Sequence, residues 1–181
     1  YGTPPKNNAN FAWLQHMLHH LAPNGSMGLL LSNGSMSSRS GGEDNIRKAL
    51  IEADLVECIL AFPGQLFTNT QIPACIWFLT KNKNAHSEFR KRSGEVLFID
   101  IRDKGHMIST RQKVFSDDDI KDIAGIVRKW RRGDEYLNIP GYCKSVKIED
   151  IRTKDYILSP GQYIGQNDIE MDSEPFIHKM N

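Results

Sequence analysis

The fold of this chain is decided by residues 54–81, which read DLVECILAFPGQLFTNTQIPACIWFLTK. Two runs of apolar, strand-forming residues, 54–62 and 73–81, stand on either side of a polar loop. The loop is about ten residues long, whereas a parallel connection needs a crossover of about a dozen residues or more. We therefore predict that the second of these strands runs antiparallel to the first.

The segments around this pair alternate between helix and strand. Apolar residues at helical spacing indicate the helices, and short continuous apolar runs indicate the strands. The predicted helices span residues 8–22, 43–53 and 116–133, and the further predicted strands span residues 26–32, 95–101 and roughly 143–149. Ser116 is a suitable N-cap for the third helix, whose first turn is acidic and whose last turn is basic, as the helix dipole favours. The alternation predicts an α/β fold, with parallel pairing where a helix intervenes.

Composition indicates an ordinary globular chain. Its 181 residues are 39% hydrophobic and 25% charged with a formal net charge of +1, which favours neither a nucleic-acid-binding tail nor an acidic disordered segment. The three cysteines are odd in number and form no CxxC pair, so we expect buried free thiols in a reducing compartment. No apolar run approaches the roughly 20 residues of a membrane helix. We expect a cytoplasmic protein with no membrane partner.

Three features carry candidate chemistry with an ordinary alternative. His16, His19 and His20 have a spacing that suits metal ligands, but no carboxylate or cysteine lies beside them, and histidines are favoured near a helix C-terminus, so we predict no metal site. The loop at residues 33–42, NGSMSSRSGG, lacks the spacing of a glycine-rich nucleotide loop and is either an anion site or a flexible connection. The basic stretches 81–92 and 128–132 either follow a phosphate backbone or are solvated surface.

Several blocks of the sequence resemble the modification (methyltransferase) subunits of type I restriction-modification systems. The resemblance runs from Tyr1 to about Trp130. Its blocks are NANFAWLQHMLHHLAPNGSMGLLLSNGSMSS (8–38), IRKALIEADLVECILAFPGQLFTNTQIPACIWFLTK (46–81) and VLFIDIRDKGHM (96–107). Beyond it, LSPGQYIG (158–165) resembles a later Pro-x-x-Tyr segment of the family.

The resemblance implies a fold and a domain organisation. Members of the family are S-adenosylmethionine-dependent methyltransferases. Their fold is a seven-stranded, Rossmann-like sheet that ends in a reversed strand. The strands at 26–32, 54–62 and 73–81 would be its fifth, sixth and seventh. We expect residues 1–133 to form the C-terminal half of the catalytic domain, and residues 134–181 to form a C-terminal extension that faces a partner.

The resemblance also implies an activity, site-specific methylation of adenine N6 in DNA. In the family, the glycine-rich cofactor motif and the Asn-Pro-Pro-Phe catalytic motif precede the position of Tyr1. Thr3-Pro4-Pro5 has neither the asparagine nor the following aromatic residue. The sequence is therefore expected to be a piece of a longer protein that holds no catalytic residue and binds no cofactor by itself, whereas the parent protein uses S-adenosylmethionine.

Site residues follow from the same resemblance. In related adenine methyltransferases an aromatic residue in the loop before the seventh strand stacks on the extruded adenine, and Phe67 occupies that position; the alternative is that Phe67 fills the core. The expected lining of the substrate pocket is Thr70, Gln71, Asn33 and Ser35. The expected contacts with the DNA backbone are Lys81, Lys83, Arg90, Lys91 and Arg92.

The partners that the resemblance implies are double-stranded DNA, a specificity subunit, a second methyltransferase subunit and, as an optional addition, a restriction subunit. Two other functions stay open at this point. One is a non-catalytic assembly module that docks the specificity subunit. The other is a methyltransferase that acts on RNA or protein with the same sheet.

Overall fold

The computed structural model describes residues 1–165 of the chain. The helices are α1 (Asn10–His20), α2 (Glu43–Glu52), α3 (Asp117–Arg132) and α4 (Ile148–Thr153). The strands are β1 (Ser26–Ser32), β2 (Val56–Ala61), β3 (Ala74–Thr80), β4 (Glu95–Asp100), β5 (His106–Ser109), β6 (Gln112–Val114) and β7 (Cys143–Lys147). Each helix and strand expected from the sequence is found within a few residues of its predicted bounds.

Five of the strands form one sheet in the order β1-β3-β2-β4-β7. Strand β3 lies between β1 and β2 and is antiparallel to both, so the prediction of a reversed strand is confirmed. Strands β2 and β4 pair in parallel, and β7 closes the sheet antiparallel to β4. Strands β1 and β2 run in the same direction without being neighbours, because β3 separates them.

Trp77 marks the centre of this arrangement. It is paired with Leu29 of β1 on one side and Ile59 of β2 on the other, and it is fully buried. Phe11 of α1 meets the indole edge to face, with ring centroids 5.7 Å apart. An aromatic side chain of this size contributes much of the buried apolar area of a small core.

The sheet is covered on both faces. Helices α1, α2 and α4 pack on one face, where Phe11, Leu50 and Ile151 join the side chains of the strands. Helix α3 packs on the other face through Ile126 and Trp130. Alternation along β4 serves both layers, since Val96 and Phe98 face the first core while Leu97 and Ile99 face the second.

The predicted boundary at residue 133 falls inside this sheet and core. Strand β7 is hydrogen-bonded along β4. Tyr163 stacks on Phe98 with ring centroids 4.4 Å apart. The part of the 134–181 segment that the structure describes is therefore integral to the domain, and residues 166–181 lie outside the described residues.

The cysteines and the helices bear on two further predictions. Cys58, Cys75 and Cys143 are buried free thiols, as predicted, and burial raises the pKa of each. Among residues 1–165 no helix has the length and apolarity that crossing a bilayer requires.

Buried ion pairs fasten the 81–95 connection to the sheet. The Glu57 carboxylate accepts hydrogen bonds from Arg92 at 3.1 Å and from Arg131 of α3 at 2.6 Å. Lys83 donates to Asp54 at 2.7 Å. The side chains of Glu57, Arg92 and Lys83 are 1%, 2% and 1% exposed. Burial lowers the pKa of Lys83 and of Arg92, and the paired carboxylates oppose that shift.

Replacing Glu57→Ala is expected to lower the free energy of unfolding by about 3–5 kcal/mol, because two guanidinium groups then lose their buried counter-charge. Urea unfolding measures the change. The matched control is Arg39→Ala, which breaks a surface pair with Asp155 whose side chains are 63% and 80% exposed. Its cost should stay below about 1 kcal/mol. Equal losses in the two variants would contradict the assignment of Glu57 as a structural counter-charge.

Candidate functional site

A cleft of about 390 Å³ opens where β1 ends and β3 begins. Ser32, the last residue of β1, is paired with Ala74, the first of β3. Most of the lining is apolar, and the lining residues are Asn10, Leu30, Leu31, Ser32, Phe67, Thr70, Ile72, Pro73 and Ala74. The cleft therefore lies at the carboxyl edge of the parallel strands, where ligands bind in open α/β sheets.

The loop between β2 and β3 supplies the mouth of the cleft. Phe67 and Thr70 form an isolated antiparallel bridge, and the Thr70 hydroxyl accepts a hydrogen bond from the amide of Ile72 at 3.2 Å. A Cβ atom on Gly64 would lie 2.5 Å from the carbonyl oxygen of Gln71, so the two ends of the loop approach closely only because residue 64 is glycine. The loop is thus folded on itself rather than extended.

Phe67 is 39% exposed and belongs to neither core cluster of the described residues. The alternative of Phe67 as core filler is therefore not what the structure describes. The side chain lines the cleft together with Thr70, and these two predicted residues are the pair that the structure brings together. Their roles in binding a base stay predictions.

Gln71 and Asn33 lie beside this cleft without lining it. Gln71 is exposed, and its backbone carbonyl faces Gly64. The backbone amide of Asn33 donates to the carbonyl oxygen of Pro73 at 3.3 Å. Asn33 also lines a second cavity of about 330 Å³, together with Arg102 and Gly161. Within residues 1–165 the Asn33 Oδ1 atom is buried without a hydrogen-bond partner.

Ser35 is a structural residue and not part of the pocket, contrary to the prediction. It is 3% exposed, and its hydroxyl donates to the carbonyl oxygen of Ser32 at 2.8 Å. The same hydroxyl accepts from the indole nitrogen of Trp77 at 3.0 Å. A buried indole N–H needs such a partner, so Ser35 anchors the central aromatic side chain of the sheet.

The predicted DNA-backbone residues lie at the end of the strands opposite to this cleft. Ser26, which begins β1, is paired with Thr80, which ends β3, so the 81–95 connection leaves from the edge opposite to Phe67. The prediction is corrected for Lys83 and Arg92 in addition because both are buried in ion pairs and cannot reach a phosphate.

The other three basic residues of that stretch differ in how free they are. Arg90 is half-buried and binds Glu95 with two hydrogen bonds, at 3.2 and 2.8 Å. The Lys81 ammonium donates to the carbonyl oxygens of His19 and Leu21, at the C-terminus of α1. Lys91 is exposed. A phosphate contact by Lys81, Arg90 or Lys91 stays a prediction, and it would concern the edge away from the cleft.

The loop at residues 33–42 folds around a side chain of the protein itself, and Asn33, Gly34, Met36 and Ser37 also line the cavity of about 330 Å³. The interior of the loop is filled by the buried side chain of Arg47, which donates to the carbonyl oxygens of Ser35 and Ser38 at 3.5 and 2.7 Å. Carbonyl groups, not amides, face this interior. Glu43 and Asp44 occupy the first turn of α2, which disfavours an anion at that helix start. We therefore set aside the anion alternative.

The described part of the chain brings no three potential metal ligands together. His16 and His20 contact each other edge to face on α1, with ring centroids 4.7 Å apart.

Sequence reasoning missed two features at the cleft edge. The apolar wall formed by Leu30, Ile72 and Pro73 was read only as strand and loop residues. The second feature is a ribbon formed by β5 and β6, which follows the carboxyl end of β4. Its strands carry no strong apolar alternation, so the sequence gives no strand signal there.

Comparison with known proteins places these features in a family. A model of the family described as N-6 DNA Methylase matches residues 1–172. The chain is 55% identical over 180 residues to the type I restriction enzyme HindI methylase subunit of Haemophilus influenzae. It is 38% identical over 179 residues to the type I restriction enzyme MjaIX methylase subunit of Methanocaldococcus jannaschii. These matches cover 99% and 98% of this chain but 39% and 31% of the relatives.

The fold is similar to a solved structure of the same kind. The crystal structure of the type I restriction-modification system methyltransferase subunit from Streptococcus thermophilus superposes with a TM-score of 0.76 at 28% identity. The match covers 91% of this chain and 32% of that one. The chain thus spans between 31% and 39% of the length of these proteins.

Replacing Ser35→Ala is expected to lower the free energy of unfolding by about 1–3 kcal/mol, because the buried indole N–H of Trp77 is left without an acceptor. Urea unfolding followed by tryptophan fluorescence measures the change. Ser37→Ala, at an exposed position two residues away, is the control and should stay within about 0.5 kcal/mol of the parent. A Ser35 variant as stable as the Ser37 variant would show that Ser35 does not anchor Trp77.

Proposed function

Because the chain belongs to the N-6 DNA methylase family, we propose that it supplies the target-base side of a site-specific adenine-N6 DNA methyltransferase subunit of a type I restriction-modification system. The observation that carries this proposal is the half-exposed Phe67 at the mouth of an apolar cleft on the carboxyl edge of the sheet. A cytoplasmic location belongs to the same proposal, because the substrate is DNA.

The proposed role of Phe67 follows from the geometry of a duplex. An enzyme that modifies a base must rotate the base out of the stack and hold it against aromatic or apolar groups. Stacking on an aromatic side chain contributes about 1–3 kcal/mol per base. Phe67 presents such a surface at the cleft, and the folded loop between Gly64 and Pro73 holds it there without burying it.

The remaining lining suits a flat, largely apolar guest. Leu30, Ile72 and Pro73 form a wall from which water is easily displaced, and Asn10 and Ser32 add polar groups at its border. Small-molecule sites commonly combine a mostly apolar wall with a few placed polar groups. In this arrangement the chain's own work is to receive, orient and desolvate the base, and positioning of this kind accounts for much of the acceleration in a direct transfer.

The methyl group in the proposed enzyme is supplied by S-adenosylmethionine when that cofactor is bound. The loop at residues 33–42 is no glycine-rich cradle for that cofactor, since the Arg47 guanidinium donates to the carbonyl oxygens of Ser35 and Ser38 inside it. We therefore assign cofactor binding and the Asn-Pro-Pro-Phe motif to other parts of the parent protein. This chain alone is expected neither to bind the cofactor nor to transfer a methyl group.

We further propose that the 134–181 segment faces the partners of the enzyme, namely a specificity subunit, a second methyltransferase subunit and, as an optional addition, a restriction subunit. Leu137 and Ile139 are 76% and 43% exposed in its described part, which favours a protein contact there. The same observation favours the second candidate function, an assembly module that docks the specificity subunit. The two functions are compatible in one chain, because the cleft and these residues are separate surfaces.

Replacing Phe67→Ala in the full-length subunit, assembled with its specificity subunit, is expected to slow methyl transfer about ten- to hundredfold. This range corresponds to the loss of about 1–3 kcal/mol of stacking. Phe67→Trp should retain most of the rate. The free energy of unfolding should change little, since the side chain lies outside the core; a buried Phe would instead cost about 3–5 kcal/mol.

The measurement is N6-methyladenine formed per folded complex, read by mass spectrometry of digested DNA. The matched control is Ile120→Ala on α3, a similarly exposed apolar position. A normal rate in the Phe67→Ala complex would contradict the stacking role. Methylation of RNA or protein but not of DNA by the parent complex would contradict the proposed substrate class.

A further inference from the structure

The ribbon formed by β5 and β6 stands apart from both cores. All four residues of β5 are exposed, although neighbouring residues of a strand point to opposite faces. Met107 and Ile108 are 44% and 57% exposed. A two-stranded ribbon with neither face packed on a core is only marginally stable by itself. Exposed apolar side chains that cluster on such a ribbon mark an interaction site.

The ribbon is attached to the loop that carries Phe67. The amide of Lys113 donates to the carbonyl oxygen of Gln65 at 2.9 Å. The Gln65 side chain reaches the carbonyl oxygen of Thr110, at the ribbon turn, over 3.5 Å. Gln65 is two residues before Phe67, so the ribbon extends from the same edge of the sheet as the cleft. At its base Gly105 has a φ of +80°, and a Cβ atom there would lie 2.7 Å from the carbonyl oxygen of Val114, so the ribbon leaves the sheet through a tight, defined turn.

The charge of the ribbon is positive. Arg111 sits at the exposed turn and Lys113 on β6. Neither takes part in a salt bridge with any of the residues that the structure describes. Lys104, at the base, is compensated by Asp122 at 3.6 Å, and its ammonium lies 4.7 Å from the ring centroid of Tyr142. The basic groups near the cleft are therefore on this ribbon rather than on the 81–95 connection.

We propose that the β5–β6 ribbon is a DNA-contacting element that enters the major groove of the target duplex beside the base cleft, an inference that rests on the proposed function. The major groove is about 12 Å wide and admits a two-stranded β-ribbon. Arg111 and Lys113 neutralise phosphates, and the exposed apolar side chain of Ile108 lies against base edges such as the methyl group of thymine. The attachment through Gln65 couples the position of the duplex to that of Phe67.

The test is DNA binding by the full-length subunit assembled with its specificity subunit, measured over a series of salt concentrations. The duplex is one that the parent complex methylates. Arg111→Ala should reduce the slope of log affinity against log salt by about one, because one phosphate contact and its released counterion are lost. Lys147→Ala is the charge-matched control, on the far edge of the sheet where β7 ends opposite Glu95, and its slope should equal that of the parent.

Ile108→Ser should leave the slope unchanged, since an apolar contact releases no counterion. It should weaken binding to the same substrate duplex about tenfold. Ile120→Ser, which removes an equally exposed isoleucine from α3, should bind like the parent. An unchanged slope in Arg111→Ala would overturn the proposal, and so would loss of the specificity subunit from either ribbon variant, which would make the ribbon a protein contact. If the parent complex methylates DNA but the ribbon variants bind DNA like the parent, the role of the ribbon is refuted and the proposed function is not. If the parent complex methylates no DNA, the proposed function itself is refuted.

Discussion

The reversal of β3 between β1 and β2 is the constraint on which the rest of the structure depends. Because β3 is antiparallel to both neighbours, its first residue, Ala74, lies at the carboxyl edge of β1. The preceding loop must therefore end at that edge, and it presents Phe67 there. Trp77 holds β3 in this place through Leu29, Ile59 and Phe11 on its sides and through the Ser35 hydroxyl at its indole nitrogen.

The same reversal divides the charged residues into two groups with different work. The connection that leaves β3 runs along the opposite edge, where Lys83 and Arg92 turn inward to Asp54 and Glu57. These pairs fasten α3 and the connection to the sheet, and they are costly to break because Lys83, Arg92 and Glu57 are buried. The connection that leaves β4 runs along the cleft edge, where Arg111 is exposed and Lys113 partly so on a free ribbon. The basic residues at one end of the strands thus form stabilising ion pairs. Those at the other end, in our proposal, contact DNA.

Most of the sheet was predictable because its signals are local. The apolar runs at 54–62 and 73–81 and the short loop between them were enough for the direction of β3, and the resemblance to type I methyltransferase subunits is confirmed by the family and fold comparisons. The burial of Lys83 was not predictable, since its partner Asp54 lies 29 residues away in sequence. Ser35 was misassigned for the same reason, because its partner Trp77 lies 42 residues away. The ribbon gave no periodic signal because neither of its faces is packed on a core.

The central claim is that the target base is held at Phe67, and cross-linking tests it most directly. The target adenine of a methylatable duplex is replaced by photoreactive 8-azidoadenine, the assembled complex is irradiated, and the adduct is mapped by peptide mass spectrometry. The account predicts an adduct within the loop of residues 64–73, at Phe67 or its neighbours in the cleft. An adduct confined to the 81–95 connection, or efficient cross-linking with none in that loop, would contradict it.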